Sequence, residues 1–194
     1  MLFRSANGFE EVKNPSQIFL SERPDKVSGS VVTAVIEGSR PLLVEIQSLV
    51  AKSSFGYARR RAEGFDFNRL GLLIAVLEKR IGLHLEAEDV FVNVAGGIKV
   101  VDPAADLAVA LAIASALRNQ PLQPQSVAVG EVGLGAEVRS VSQLGLRLNE
   151  AEKLGFRRCL VPANNCKKIS GAPAGIEIVP VSNLKEALEA GLKG

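Results

Sequence analysis

The sequence predicts an α/β domain of mixed (α+β) arrangement, and three observations carry that expectation. Short β-branched segments alternate with apolar segments at helical spacing along most of the chain. Apolar residues make up 47% of the sequence but aromatics only 5%, with no Trp, so Ala, Val, Leu and Ile must fill the core. The last stretch reads strand (RCLVP), polar loop, strand (IEIVP), helix (NLKEALEAGL), an order typical of layered α/β domains. A chain of 194 residues suffices for one such domain with a small appendage.

Residues 1 to about 20 read as a connector, with Asn7-Gly8 as a turn and Asn14-Pro15-Ser16 as a loop that starts a short helix. The domain proper then runs over 21–194. Residues 30–37 (SVVTAVIE) and 40–50 (RPLLVEIQSLV) flank Gly38-Ser39 and predict a hairpin. Residues 53–66 (SSFGYARRRAEGFD) contain two glycines and three consecutive arginines, which predicts an exposed loop. Asp66 caps the next helix, whose apolar positions are Leu70, Leu73, Leu77 and Ile81. Strand VFVNVA (90–95) enters Gly96-Gly97. Asp102 then serves as N-cap, with Pro103 in the first position of a helix apolar on nearly every side. Residues 126–131 and 136–141 read as a second pair of strands around Gly133-Leu134-Gly135. Leu144, Leu148, Ala151 and Leu154 mark a helix that Gly155 ends.

Composition excludes several functions. A net charge of +2 announces no nucleic-acid partner by itself, because phosphate binding depends on local clusters of Lys and Arg. Two cysteines, Cys159 and Cys166, and one histidine, His84, cannot form a four-ligand zinc site without carboxylates, so no metal is expected. The opening residues resemble no signal or transit peptide, and the longest apolar run falls short of the roughly 20 residues a bilayer crossing needs. No membrane is expected, and the reading is cytoplasmic.

Long ordered blocks of the chain resemble the carboxy-terminal Lon-protease-like domain of the bacterial RadA/Sms recombination family. They are FLSERP (19–24), EGSRPLLVEIQSLV (37–50), NRLGLLIAVLEKRIGL (68–83), NVAGGIKVVDPAADLAVALAIAS (93–115), GEVGLGAEVRSVSQ (130–143) and EAEKLGFRRCLVP (150–162). The resemblance implies a Lon-like fold related to domain 2 of ribosomal protein S5, and assembly as a homo-hexamer. It also implies a DNA repair and recombination ATPase whose zinc ribbon and RecA-like module would carry the Zn, ATP and Mg. No cofactor is expected in this chain, which has no G-x-x-x-x-G-K-[ST] loop, and residues 1–20 look like the tail of that ATPase module.

The same resemblance places Ala104 where active Lon peptidases carry the nucleophilic serine, and Gly145 where they carry the lysine base. Nucleophilic catalysis needs a hydroxyl and an adjacent amine of lowered pKa, so the domain is expected to be no enzyme. A replacement dyad from Ser140 or Ser142 with Lys153, or a triad around His84, is read as ordinary surface chemistry. Asp102 and Asp106 are read as structural or intersubunit residues, Asp106 accepting from backbone amides or from a neighbouring subunit's arginine.

Arg59, Arg60 and Arg61 form the strongest local basic cluster and are read as DNA contacts, with a solvated loop or an intersubunit ion-pair site as the alternative. Phe55 and Tyr57 are read as packing beneath that loop. Lys99, Arg139 and Arg147 flank the two emptied catalytic positions and complete the DNA-binding set, with Arg157-Arg158 and Lys167-Lys168 as weaker candidates. The expected partner is duplex or branched DNA without sequence preference, in a branch-migration system. The alternatives are a docking module for a recombinase or replicative helicase, and a Lon-type serine peptidase.

Overall fold

The structure, a computed structural model, describes residues 2–5, 8–11, 15–21, 23, 27–54, 56–166 and 173–192. The readings placed on Asn7, Asn14, Phe55, Lys167 and Lys168 lie outside these residues.

Two short strands, β1 (Leu2–Ser5) and β2 (Gly8–Glu11), pair antiparallel, and the helix α1 (Pro15–Leu20) follows. The expected hairpin is β3 (Ser30–Glu37) and β4 (Arg40–Lys52), in full register from Ser30↔Gln47 to Glu37↔Arg40. Beyond it come β5 (Arg60–Glu63), α2 (Phe67–Val76), β6 (Glu88–Val94) and α3 (Asp106–Arg118), with a 3-10 turn at Pro103–Ala105 leading into α3. The chain closes with β7 (Ser126–Ala128), β8 (Glu131–Val132), β9 (Val138–Arg139), α4 (Leu144–Lys153), β10 (Arg158–Pro162), α5 (Ala163–Cys166), β11 (Glu177–Val181) and α6 (Leu184–Gly191).

Seven strands form one mixed sheet in the order β11-β10-β7-β3-β4-β6-β5. The β3–β4 and β4–β6 pairs are antiparallel, and every other neighbouring pair is parallel. Strand alternation divides the core. Val31 and Val35 of β3, with Val44 and Ile46 of β4, join α2, α3 and α6 on one face, while Val32, Ala34 and Leu43 join α4 on the other. Residues 106–115 of α3 are all buried, which accounts for a sequence with no polar face.

Two predicted elements differ in the structure. SVAVGE is not one strand: β7 belongs to the large sheet, whereas β8 pairs with β9 in a separate hairpin. The break falls at Gly130, whose N–H donates to the Ala104 carbonyl at 2.8 Å and whose carbonyl accepts from Leu107 at 3.0 Å. The arginine-rich segment is not simply a loop, since Arg60–Glu63 is an edge strand parallel to β6. The helix over 67–81 widens into a π turn at Leu77–Ile81, closed by Gly82 at φ 76°.

Candidate functional site

Ala104 and Gly145 lie on segments that the fold ties together. Asp102 enters the 3-10 turn in extended conformation, and its carboxylate accepts three hydrogen bonds. The donors are the amides of Ala104 (3.0 Å) and Ile36 (2.9 Å) and Nη1 of Arg147 (2.7 Å). Pro103 follows with no amide to satisfy, so this corner is capped as Asp-Pro predicts. Burial, the largest influence on Asp102, opposes its ionisation. Arg147 and the two amides outweigh it and hold the carboxyl below the usual range.

Arg147 corrects the sequence reading. It was expected at a DNA-facing surface, yet its side chain is 1% exposed. Its Nη1 also donates to the Ala34 carbonyl (2.5 Å) and its Nε to the Ser142 carbonyl (3.1 Å). The guanidinium therefore pins the start of α4 to β3 and to the Asp102 turn. The available signal was positional: Arg147 falls inside the helical stripe of Leu144, Leu148 and Ala151, where a cation must be buried.

Around that pair lie small and apolar side chains. Ala104 is 1% exposed and packs in the same apolar cluster as Leu144 and Leu148. Gly145 is half-buried, and a Cβ placed there would meet nothing within 4 Å. Ser140, Ser142 and Lys153 are exposed, and no hydrogen bond joins either serine to Lys153 among the described residues. His84 is exposed beside Glu86. Burial pushes the Cys159 thiol up to about 12, so it supplies no thiolate near neutrality.

Asp106 is fully buried at the start of α3 and meets an arginine of its own chain. Nε of Arg69 donates to Oδ1 at 3.0 Å, Nη2 bonds Oδ2, and the Val132 amide donates to Oδ2 at 3.1 Å. Burial raises its pKa, with Arg69 and the amide acting against it. No sequence feature marked Arg69, because its partner stands 37 residues away.

Two arginines of the basic cluster bond along the sheet edge. Arg59 donates through Nε (2.8 Å) and Nη2 to Asp89, whose Oδ1 accepts the Arg59 amide at 2.8 Å. Arg60 bonds the carbonyls of Glu88 and Leu85. Arg61 is exposed with no ion pair or side-chain hydrogen bond among the described residues, and so is Lys99. Arg139 is exposed and paired with Glu137 at 2.9 Å. Arg158 bonds the Ala190 carbonyl at 2.7 Å. Tyr57 is exposed rather than packed beneath the segment.

No helix among the described residues is long and apolar enough to cross a membrane. The family described as Subunit ChlI of Mg-chelatase matches residues 72–165. Curated relatives are more extensive in coverage. The DNA repair protein RadA of Halalkalibacterium halodurans is 51% identical over 183 residues, 94% of this chain and 40% of that protein. That of Bacillus subtilis is 51% identical over 187 residues, covering 96% and 41%. That of Streptococcus pneumoniae is 47% identical over 184 residues, covering 95% and 44%. The chain, a mixed α/β domain, thus matches over nearly its whole length a part of the bacterial proteins named DNA repair protein RadA, and it spans about 40% of their length.

Proposed function

We propose that this chain is a proteolytically inactive Lon-like domain, of the ribosomal protein S5 domain 2-like fold, within a DNA repair and recombination ATPase. One observation carries the inactivity: the positions matching the peptidase dyad hold the buried Ala104 methyl and a glycine, and their segments are bridged by Asp102 and Arg147. Neither a hydroxyl nor a neutral amine is available there for acyl transfer. The domain serves as a scaffold for a hexameric ring and as a cytoplasmic, sequence-independent DNA contact in branch migration. ATP, Mg and Zn belong to other modules of such a protein.

Of the predicted DNA residues, Arg59, Arg61, Lys99 and Arg139 are exposed, and Lys99 and Arg139 are favoured as the two nearest in sequence to the Ala104 and Gly145 segments. The pairing of Arg139 with Glu137 is a surface ion pair worth ~0–1 kcal/mol and readily exchanged for a phosphate. A titration of duplex and branched DNA across salt tests the reading. Lys99→Ala and Arg139→Ala should each reduce the slope of log affinity against log salt by about one. Absence of binding at low salt refutes the DNA role. A docking role for a recombinase or helicase is favoured by exposed Phe67, Leu72 and Leu134, the last two lining a groove between α2 and the β8–β9 hairpin. It predicts partner capture without DNA binding.

A further inference from the structure

At its β4–β6–β5 end the sheet is fully covered on one face and partly covered on the other. Val44, Ile46, Val90 and Val92 are buried on the side of α2 and α3. On the other face α1 and α4 pack on β4 near Leu43, and Glu45 and Asp89 are buried, while Leu49, Asn93, Arg61 and Glu63 stand exposed among the described residues. Register aligns Leu49, Phe91 and Arg61 in one row across the three strands, and Gln47, Asn93 and Glu63 in the next. Leu49 is 63% exposed at the centre of this face, Phe91 is half-buried, and Arg61 and Glu63 are exposed. An exposed leucine beside an aromatic ring, edged by amides and charges, has the make-up of a protein contact.

Charge identifies the occupant. Arg59 and Asp89 neutralise each other beside the Phe91 ring, over which the Arg59 guanidinium lies at 5.8 Å from the centroid. Arg61 and Glu63 carry opposite signs two residues apart on the same face, and neither has an ion partner among the described residues. The face therefore has no cationic excess to attract a phosphate backbone. It is instead complementary to itself. We infer that this face receives a second copy of the chain, with the two β5 strands antiparallel so that Arg61 of each copy meets Glu63 of the other over Leu49 and Phe91. Such a contact is isologous and closes on itself, unlike the head-to-tail contacts that build a ring, so it does not depend on the ring reading.

Sedimentation equilibrium of the chain tests this. The expected species is a dimer, or two rings joined face to face, and Leu49→Asp should weaken association about tenfold or more while the far-ultraviolet circular dichroism stays unchanged. Arg61→Glu and Glu63→Arg should each dissociate alone and re-associate when mixed in equal amounts, because the mixture restores opposite charges across the contact. That rescue decides the matter even if Leu49→Asp misfolds. A monomer at every concentration, a six-membered ring whose mass Leu49→Asp leaves unchanged, or charge variants that fail to recover on mixing would overturn the inference. A Leu49→Asp variant that loses oligonucleotide binding with no change in mass would also overturn it, and would assign the face to nucleic acid.

Discussion

Nη1 of Arg147 lies 2.7 Å from Oδ2 of Asp102, 45 residues away in sequence, and joins the two segments that would carry a peptidase dyad. Both groups are largely withdrawn from water, so removing one partner leaves the other charge uncompensated. Arg147→Met and Asp102→Asn should each destabilise the fold by about 3–5 kcal/mol. The double substitution should cost less than the sum, since it leaves no orphaned charge. Denaturant unfolding of the four proteins measures the coupling, and additive losses would contradict this role for the pair.

The two buried aspartates predict opposite pH dependence. Asp102 has its folded pKa below the ordinary 3.8, so the stability it contributes is present above 3.8 and is lost as pH falls through the folded value. Asp106 has its folded pKa above 3.8, so its contribution is complete below 3.8 and is lost as pH rises through that raised value. Melting curves recorded from about pH 2 to 7 should show the difference. Asp102→Asn removes part of the acid-side loss, and Asp106→Asn removes part of the loss on the higher side. Parallel curves for wild type and both variants would refute the assignment.

What could be read in the sequence was what local chemistry decides. Asp102-Pro103 announces a cap because its partners are the next few amides, and the β3–β4 hairpin follows from alternation about Gly38-Ser39. What could not be read depends on distant partners. Strand β5 pairs with residues 28 to 30 positions ahead, and its charged sequence imitates a loop. SVAVGE has uniform strand composition, and only the approach of Ala104 to Gly130 shows where it leaves the sheet. At the site, the Asp102 cap was legible, while the cation that packs against it was not. Arg147 and a surface arginine look alike until the carbonyl of Ala34 is in view.

A serine at position 104 or a lysine at position 145 should not create cleavage. Gly145→Lys should fold, because a side chain at that position starts in open space. Ala104→Ser would bury a hydroxyl in a cluster of apolar side chains, none of which can act as a base. Neither single variant should release fluorescent fragments from labelled casein. Activity above the wild-type background in either would reopen the peptidase reading.

Arg60 should prove structural rather than DNA-facing. Its guanidinium satisfies the carbonyls of Glu88 and Leu85 at the entry of β6, and Arg60→Ala returns those carbonyls to water. Amide exchange should then accelerate in β5 and at the start of β6, with a stability loss of about 1–2 kcal/mol. DNA affinity at moderate salt should change little. The opposite result, unaltered exchange with lost DNA binding, would return this arginine to the interface.

Gly64 should be far less replaceable than Gly38, although both have positive φ, 74° and 61°. A Cβ at Gly64 would lie 2.5 Å from the Ile98 carbonyl oxygen and 2.7 Å from Val94 Cβ, whereas one at Gly38 meets nothing within 4 Å. Backbone cannot yield as a flexible side chain would, and the Gly64 carbonyl also accepts the Val100 amide at 2.7 Å in the segment leading to Asp102. Gly38→Ala therefore costs only left-handed strain, about 1 kcal/mol, while Gly64→Ala adds a clash for a total of about 2–5 kcal/mol. Because that clash pushes on residues 98–100, Gly64→Ala should also weaken the coupling between Asp102 and Arg147. The same four-protein unfolding cycle, repeated in the Gly64→Ala background, should return a smaller interaction energy, and an unchanged one would mean that residues 98–100 do not position Asp102.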